Sequence, residues 1–314
     1  MSEQGDHTTA SALPIGVVVV NFASSELLAR NLAPLRAAAA EIVVVDNWSS
    51  DQERERVRTL AAHHGWTLVE LADNRGFGPG VNAGAAAATA LGCDCVLLLN
   101  PDVEVAAETV DELRRQVQAR PDVLVSPLLV DLTGAPNFSG SVLDLRDGRI
   151  SSAVRAAADP ELVGRPVPWL TAACLAVSRS SWERVAGFRE DYFMYWEDVD
   201  FGIRCHAAGV RTAVRHDLSA VHDQGGTQGE RRGRAKSGLY YYYNCRNRLL
   251  FATHHLRGRA LGWWMLTAPR VSYEIWLHGG RRQLLSSPGG ALAALRGCGA
   301  GLVLGARALL RPRR

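Results

Sequence analysis

From Ile15 to Leu99 the chain alternates short β-branched runs with longer stretches of helical character. Ile15 to Val20 is continuously apolar, Ser25 to Ala40 is helix-like, Glu41 to Val45 is β-branched again, and Asp46 to Asp51 is polar. The order then returns, with Asp51 to His64 as helix, Trp66 to Leu71 as strand, a glycine-rich turn, Val81 to Leu91 as a small-residue helix, and Cys95 to Leu99 as strand. Apolar strands separated by helices predict an α/β fold with a parallel sheet covered on both faces and ligands gathered at the strands' carboxyl ends. Asp46, Asn74 and Asp102 each fall just past such an end.

Beyond Asp122 the rhythm changes. Val123 to Val130 and Trp169 to Val177 read as strands, and between them Thr133 to Pro166 reads as a long irregular stretch of the kind that serves as a functional loop or lid. Val199 to Ala208 is helix-like, Arg211 to Val214 and Leu218 to Val221 are strand-like, and from Ala252 the pattern is helical, broken at Gly279-Gly280 and Pro288-Gly289-Gly290. These shifts divide the chain into a globular part over 13–251, with halves meeting at 122/123, and a helical extension over 252–314.

The 314 residues suffice for a large core, and six cysteines without Cys-x-x-Cys spacing read as reduced structural thiols of a cytosolic protein. No signal-peptide pattern opens the chain. The net charge of +3 conceals an asymmetry, because from Arg257 onward ten arginines face Glu274 alone. With Trp263, Trp264 and Trp276 among them, this tail has two readings: a peripheral contact at the inner face of the cell membrane, or a solvated, partly packed extension. Neither is nucleic-acid recognition.

Three segments carry candidate chemistry. Asn100-Pro101-Asp102 follows a buried strand, where a carboxylate can bridge a divalent cation to a diphosphate, or can merely cap a helix beginning near Ala106. Trp196-Glu197-Asp198-Val199-Asp200 sets carboxylates against the apolar wall Tyr192 to Tyr195, which raises a carboxyl pKa and poises a base. On the helix that follows, Asp200 and Arg204 are four apart and form a structural ion pair, leaving Asp198 as base or N-cap. His222 is either a core histidine or a metal ligand. The glycines between Asn74 and Asn82 fail the dinucleotide fingerprint, since Val81 stands at its third glycine, and read instead as a close backbone approach to a nucleotide or sugar.

In combination, Val17 to Phe22, Val44-Val45-Asp46-Asn47-x-Ser49-Ser50-Asp51, Asn74-x-Gly76-Phe77-x-x-Gly80-x-Asn82, Leu98 to Val103, Gly187-Phe188-x-Glu190 and Glu197-Asp198-x-Asp200-x-x-x-Arg204 resemble a family 2 glycosyltransferase of the GT-A fold, in its rhamnosyltransferase-like branch. The resemblance covers about Ile15 to Phe251. It implies an inverting, metal-dependent transfer of a sugar, rhamnose or another hexose or deoxyhexose, from a dTDP, UDP or GDP donor to the hydroxyl of a small-molecule, lipid-linked or glycan acceptor. Asn21, Asp46, Asn47, Asn74, Gly76, Phe77, Asn82, Asn100, Asp102, Arg246 and Asn247 would then bind the donor. Asp102 and His222 would hold Mg²⁺ or Mn²⁺, and Asp198 would be the base. Thr171, Ala172, Trp196 and Glu197 would shape the acceptor or sugar pocket. Thr171-Ala172-Ala173 departs from the branch's Ser-Gly-Ala, and the basic, aromatic run Arg231 to Arg234 and Tyr240 to Tyr243 would line an acceptor path. A sugar-phosphate nucleotidyltransferase lacks its N-terminal arginine loop here, and a non-catalytic nucleotide-binding scaffold leaves the carboxylates without a purpose.

Overall fold

The computed structural model describes residues 13–38, 40–159, 166–223, 236–280 and 288–310. Part of the expected irregular stretch (160–165), the run Arg231 to Arg234 and five tail arginines lie outside these residues. The first half follows the alternation: β1 (Ile15–Asn21), α1 (Ser25–Leu32), a 3₁₀ turn (Ala33–Ala37), β2 (Ala40–Asp46), α2 (Asp51–His64), β3 (Thr67–Glu70), α3 (Phe77–Ala90), β4 (Cys95–Leu99), β5 (Val103–Val105) and α4 (Ala107–Ala119). The second half adds β6 (Val123–Val130), β7 (Pro136–Phe138), β8 (Ser141–Asp144), β9 (Arg149–Ser152), α5 (Ala153–Ala157), β10 (Val167–Trp169), β11 (Cys174–Ser178), α6 (Arg179–Arg184), α7 (Glu197–Ala207) and β12 (Arg211–His222). Three long helices close the chain: α8 (Gly238–His255), α9 (Gly258–Leu277) and α10 (Pro288–Leu310).

Nine strands form one sheet in the order β3-β2-β1-β4-β11-β6-β12-β5, with β7 on β6. β3, β2, β1, β4, β6 and β12 run the same way, so the sheet is mostly parallel, and β11 inserts antiparallel between β4 and β6. The carboxyl ends of β1, β2 and β4 and the amino end of β11 therefore share one rim. β1 is buried along its whole length. It carries alternate valines into the two core layers, Val17 and Val19 on one face and Val18 and Val20 on the other, as a strand covered on both faces requires.

The expected irregular stretch between Thr133 and Pro166 is instead structured where it is described. β8, β9 and β10 form a separate antiparallel sheet. Its strands have three or four residues each, too short for an apolar period to show. The glycine-rich turn is likewise the first turn of α3, with Pro79 tolerated because the early N–H groups of a helix have no internal partner. A Cβ on Gly80 or Gly84 would lie 2.9 Å from Val20 or 2.3 Å from Val18, so these glycines let α3 lie close on β1. All six cysteines are buried free thiols. The boundary expected after Phe251 falls inside α8, whose far face receives the glycine seam of α10: a Cβ on Gly297 would meet the Tyr242 carbonyl at 2.2 Å.

Candidate active site

Asp102 stands where the chain leaves β4. The cap alternative does not hold, because β5 separates Asp102 from α4, whose N-cap is Ala106. β5 pairs with the end of β12, His222 opposite Val103. That register sets His222 Nε2 3.5 Å from Asp102 Oδ1, an oxygen that is buried and otherwise without a hydrogen-bond partner. The two side chains, 120 positions apart in the chain, are brought together by strand pairing alone.

The next strand across carries the site toward Asp198. Asn100 N–H donates to Ala173 O at 2.9 Å, which ties the end of β4 to the segment before β11. One residue earlier, Ala172 N–H donates to Asp198 Oδ2 at 3.4 Å, while Val199 N–H donates to Oδ1 at 2.8 Å. α7 is capped by Trp196, so Asp198 lies in the first turn and is not the N-cap. Burial pushes the Asp198 carboxyl up to about 6, against the opposing pull of hydrogen bonds from Val199, Ala172 and Thr171. Glu197 beside it is buried, its Oε2 has no partner, and burial followed by the Asp198 charge holds its carboxyl far above the ordinary range. Asp198 is half-buried, whereas Glu197 is buried.

Asp200 has the opposite environment. Burial alone would raise its pKa, but His255 Nε2 at 2.6 Å and Arg204 Nε at 2.6 Å outweigh it and hold the carboxyl below the usual carboxylate range. Arg189 at 3.5 Å and the Tyr192 hydroxyl at 3.4 Å complete the cage. Arg204 also donates to Val185 O and to Gly187 O, which fastens α7 to the segment before it. The expected frame pair is present, with His255 as a partner no local spacing announces.

At the other end of the rim Asp46 is fully buried. Its Oδ2 accepts from Arg54 Nε at 2.6 Å and its Oδ1 has no partner. Asn21, Asn47, Asn74 and Asn82, expected to grip a donor, are engaged with protein. Asn47 Nδ2 donates to Asn74 Oδ1 and Gly76 O, and its Oδ1 accepts from Arg75 N–H, each at 3.0 Å. Asn82 donates to Phe188 O and Glu190 and accepts from Phe188 N–H. Asn21 accepts from Ser24 N–H and donates to Glu53. Gly76, with φ +93°, faces the Phe193 carbonyl, to which Phe77 N–H donates at 2.9 Å.

Asn247 also departs from expectation. Both N–H groups of its amide go to main-chain carbonyls, Met194 O at 2.8 Å and Tyr195 O at 2.9 Å, and its Oδ1 accepts from Arg246. An amide has two N–H groups, so none remains for a phosphate. Trp196 is a core side chain packed on Phe251 and does not line an open pocket. Sequence reasoning passed over Trp48, an exposed aromatic at φ +37° beside Asp46, and Arg54, the partner of Asp46. The eight-residue step from Asp46 to Arg54, across a loop and one helical turn, was the signal for the second.

Three carboxylates, Asp46, Asp102 and Glu197, each keep one buried oxygen without a partner, and they are the only carboxylates among the described residues that do. Asp46 and Asp102 stand at the ends of β2 and β4, and Glu197 adjoins the half-buried Asp198 at the start of α7. Residues 16–143 match the description "Glycosyl transferase family 2". They form a family 2 glycosyltransferase domain. The chain is similar to the low-salt glycan biosynthesis hexosyltransferase Agl10 of Haloferax volcanii, 27% identical over 237 residues that cover 75% of this chain and 74% of that protein. It is similar also to the N-acetylglucosaminyl-diphospho-decaprenol L-rhamnosyltransferase of Mycobacterium tuberculosis, 27% identical and covering 68% and 77%. Its fold is that of the mannosyltransferase PcManGT from Pyrobaculum calidifontis, solved with GDP-Man and Mn²⁺, with a TM-score of 0.54 at 19% identity over 95% of this chain and 87% of that one. The fold is therefore GT-A. The matched glycosyltransferase segment carries Asp46 and Asp102, whereas Glu197, Asp198 and His222 come from the chain beyond it.

The Asp200 cage yields a stability prediction. Arg204→Met leaves a buried carboxylate short of its main cation and is expected to cost about 3 kcal/mol at pH 7. In the wild type the depressed Asp200 pKa contributes stability above the unfolded carboxyl pKa and loses it as the pH falls. The urea midpoints of wild type and variant are thus expected to keep their gap down to about pH 4 and to converge below it. A gap that stays constant below about pH 4 would show that Arg204 acts by packing alone.

Proposed function

We propose that the protein is an inverting, metal-dependent glycosyltransferase that moves a hexose or deoxyhexose, such as rhamnose, from a dTDP, UDP or GDP sugar to the hydroxyl of a lipid-linked or other glycan acceptor. The observation that carries this reading is the set of three unpartnered carboxylate oxygens on one rim, since buried polar atoms left unsatisfied cost stability and persist where a ligand completes them. Asp46 Oδ1 would accept an N–H of the nucleobase or a ribose hydroxyl, a reading supported by Phe22 and Trp48, exposed just past the ends of β1 and β2. Asp102 and His222 suit a divalent cation: one hard oxygen without a partner and one imidazole nitrogen, a small set that leaves coordination positions for diphosphate oxygens. When bound, Mg²⁺ or Mn²⁺ would neutralise the charge that develops on the leaving diphosphate.

Asp198 accepts the proton of the acceptor hydroxyl. The acceptor oxygen then bonds to the anomeric carbon as the bond to the diphosphate oxygen breaks and that oxygen keeps the electron pair. Glu197, whose carboxyl burial pushes well above the ordinary range, is disfavoured as a charged nucleophile, which supports a single displacement with inversion over a covalent route. Ala172 N–H orients Asp198, and the Ala172 methyl stands where the branch has glycine, which fits a reshaped sugar pocket.

The outward faces of α9 and α10 suit a lipid surface, as a lipid-linked acceptor requires. Eight of the sixteen exposed large apolar side chains among the described residues lie on these two helices. On α9, Arg259, Trp263, Leu266, Arg270 and Tyr273 recur at helical spacing on the exposed side. On α10, Leu292, Leu295, Val303 and Leu310 oppose the glycine seam, with Arg296 and Arg307 alongside. α10 is long and apolar enough to cross a membrane, yet it carries two arginines and packs on α8, which favours lying along an anionic surface.

Three measurements test these assignments. In calorimetric titrations, one of UDP, GDP and dTDP is expected to bind only with Mn²⁺ or Mg²⁺ present, and Asp102→Ala to weaken it at least tenfold; metal-independent binding would sink the metal assignment. Because Asp198 must be ionised to accept a proton, kcat/KM is expected to hold above pH 6 and to fall about tenfold per unit below it, with Asp198→Asn slower by about 10² to 10⁴ and folded. Retained activity in that variant removes the base assignment. The protein is expected to co-sediment with vesicles containing phosphatidylglycerol and not with pure phosphatidylcholine, and Arg296→Glu/Arg307→Glu to release it. Concentration-dependent dimerisation without vesicle binding would assign this face to a second copy instead.

A further inference from the structure

α8 grips the segment that bears the base. Tyr240, Tyr243, Asn247 and Phe251 follow one another at i, i+3, i+7 and i+11, one face of a helix. Each meets that segment in turn. The Tyr240 ring lies edge-on to Tyr195 at 5.4 Å, Tyr243 stacks on Phe193 at 5.2 Å, Asn247 holds the Met194 and Tyr195 carbonyls, and Phe251 packs on Trp196 at 5.5 Å. One turn on, His255 reaches Asp200. The segment needs holding: Tyr195 and Trp196 have φ of +66° and +76°, consecutive left-handed residues with side chains, immediately before Glu197 and Asp198. A backbone in that region persists where its surroundings over-determine it. The opposite flank is fixed as well, by Phe77 N–H on the Phe193 carbonyl.

Asn247 is the polar contact in this stripe. It is fully buried, and its amide matches the two carbonyls that the left-handed turn presents on one side. Without it, both carbonyls lose a partner inside the protein and the turn loses the contact that opposes its return to an ordinary conformation. Asp198 begins three residues after Tyr195, so relaxation there moves the base relative to Ala172 N–H and the acceptor. We infer that Asn247 is a positioning residue for transfer, holding the left-handed Tyr195-Trp196 turn so that Asp198 faces the reacting hydroxyl, and that α8 makes the C-terminal helices part of the catalytic machinery. This rests on the assignment of Asp198 as base.

The test compares wild type, Asn247→Ala, the isosteric Asn247→Asp, which keeps the shape and removes both N–H groups, and Asp198→Asn. Nucleotide release from UDP-, GDP- or dTDP-sugar gives kcat and KM, and calorimetry with the matching nucleotide and MnCl₂ gives the donor Kd. Both Asn247 variants are expected to lose on the order of 10²-fold in kcat, the effect of misplacing a reacting group by about 1 Å, with nucleotide Kd within about twofold of wild type. The acid limb of the kcat/KM profile is expected to move as the surroundings of Asp198 change. If Asp198→Asn is inactive while Asn247→Asp keeps wild-type kcat, the positioning role is wrong and the base assignment stands. A loss confined to nucleotide Kd would place Asn247 on the diphosphate and overturn the inference. Activity retained in Asp198→Asn would instead remove the base on which it rests. Should Asn247→Ala fail to fold, Asn247→Asp carries the comparison.

Discussion

Much of this protein is organised around keeping a few carboxylates out of water without neutralising all of them. A buried acceptor without a partner costs about 1 to 3 kcal/mol, and more when charged, so each such oxygen needs a scaffold that leaves it no better position. The three scaffolds differ. Asp46 is pinned through its other oxygen by Arg54. Asp102 is fixed by the pairing of β5 with β12, which sets His222 against it. Glu197 is carried into the core by the left-handed turn before α7. The fourth acid, Asp200, is fully compensated, and the contrast separates a group that holds the frame from groups that keep an unpartnered oxygen.

The alternation of strand and helix up to Leu99 was legible because buried parallel strands are written as unbroken apolar runs. The Asp200–Arg204 pair was legible because four residues on a helix is a local distance. The meeting of Asp102 with His222 could be read only through the family resemblance, since the contact depends on a strand pairing that no local pattern specifies. What escaped has physical reasons too. β8, β9 and β10 are too short to show a period, so a small sheet looked like a loop. The asparagines carry side-chain amides that suit a main-chain turn as well as a nucleotide, and residue type cannot distinguish the two. Asn47 and Asn82 proved to be fasteners of the rim, and Asn247 a fastener of the base segment 52 residues before it.

The arrangement also explains why the glycosyltransferase domain matched at 16–143 is not a site by itself. It supplies the sheet rim, Asp46 and Asp102, whereas Asp198 and His222 come from the chain that follows, which crosses back over the rim at β11 and β12. β11 runs antiparallel beside β4, so its leading residues Thr171 to Ala173 arrive at the carboxyl end of β4, beside Asn100. That reversal brings the two halves of the chemistry within reach of one another.

At the crossing stands Ala172, where the methyl group does two things at once. It is buried, so it fills space that a glycine would leave open, and it restricts the backbone whose N–H faces Asp198 Oδ2. An alanine in place of glycine narrows the conformations open to that peptide, which favours one orientation of the N–H and hence one orientation of the carboxylate it meets. If Asp198 is the base, as proposed, the same residue would act on both substrates, taking room on the sugar side while making the base more rigid. A change of sugar at this position cannot be separated from a change in the setting of the base, because both pass through one peptide unit.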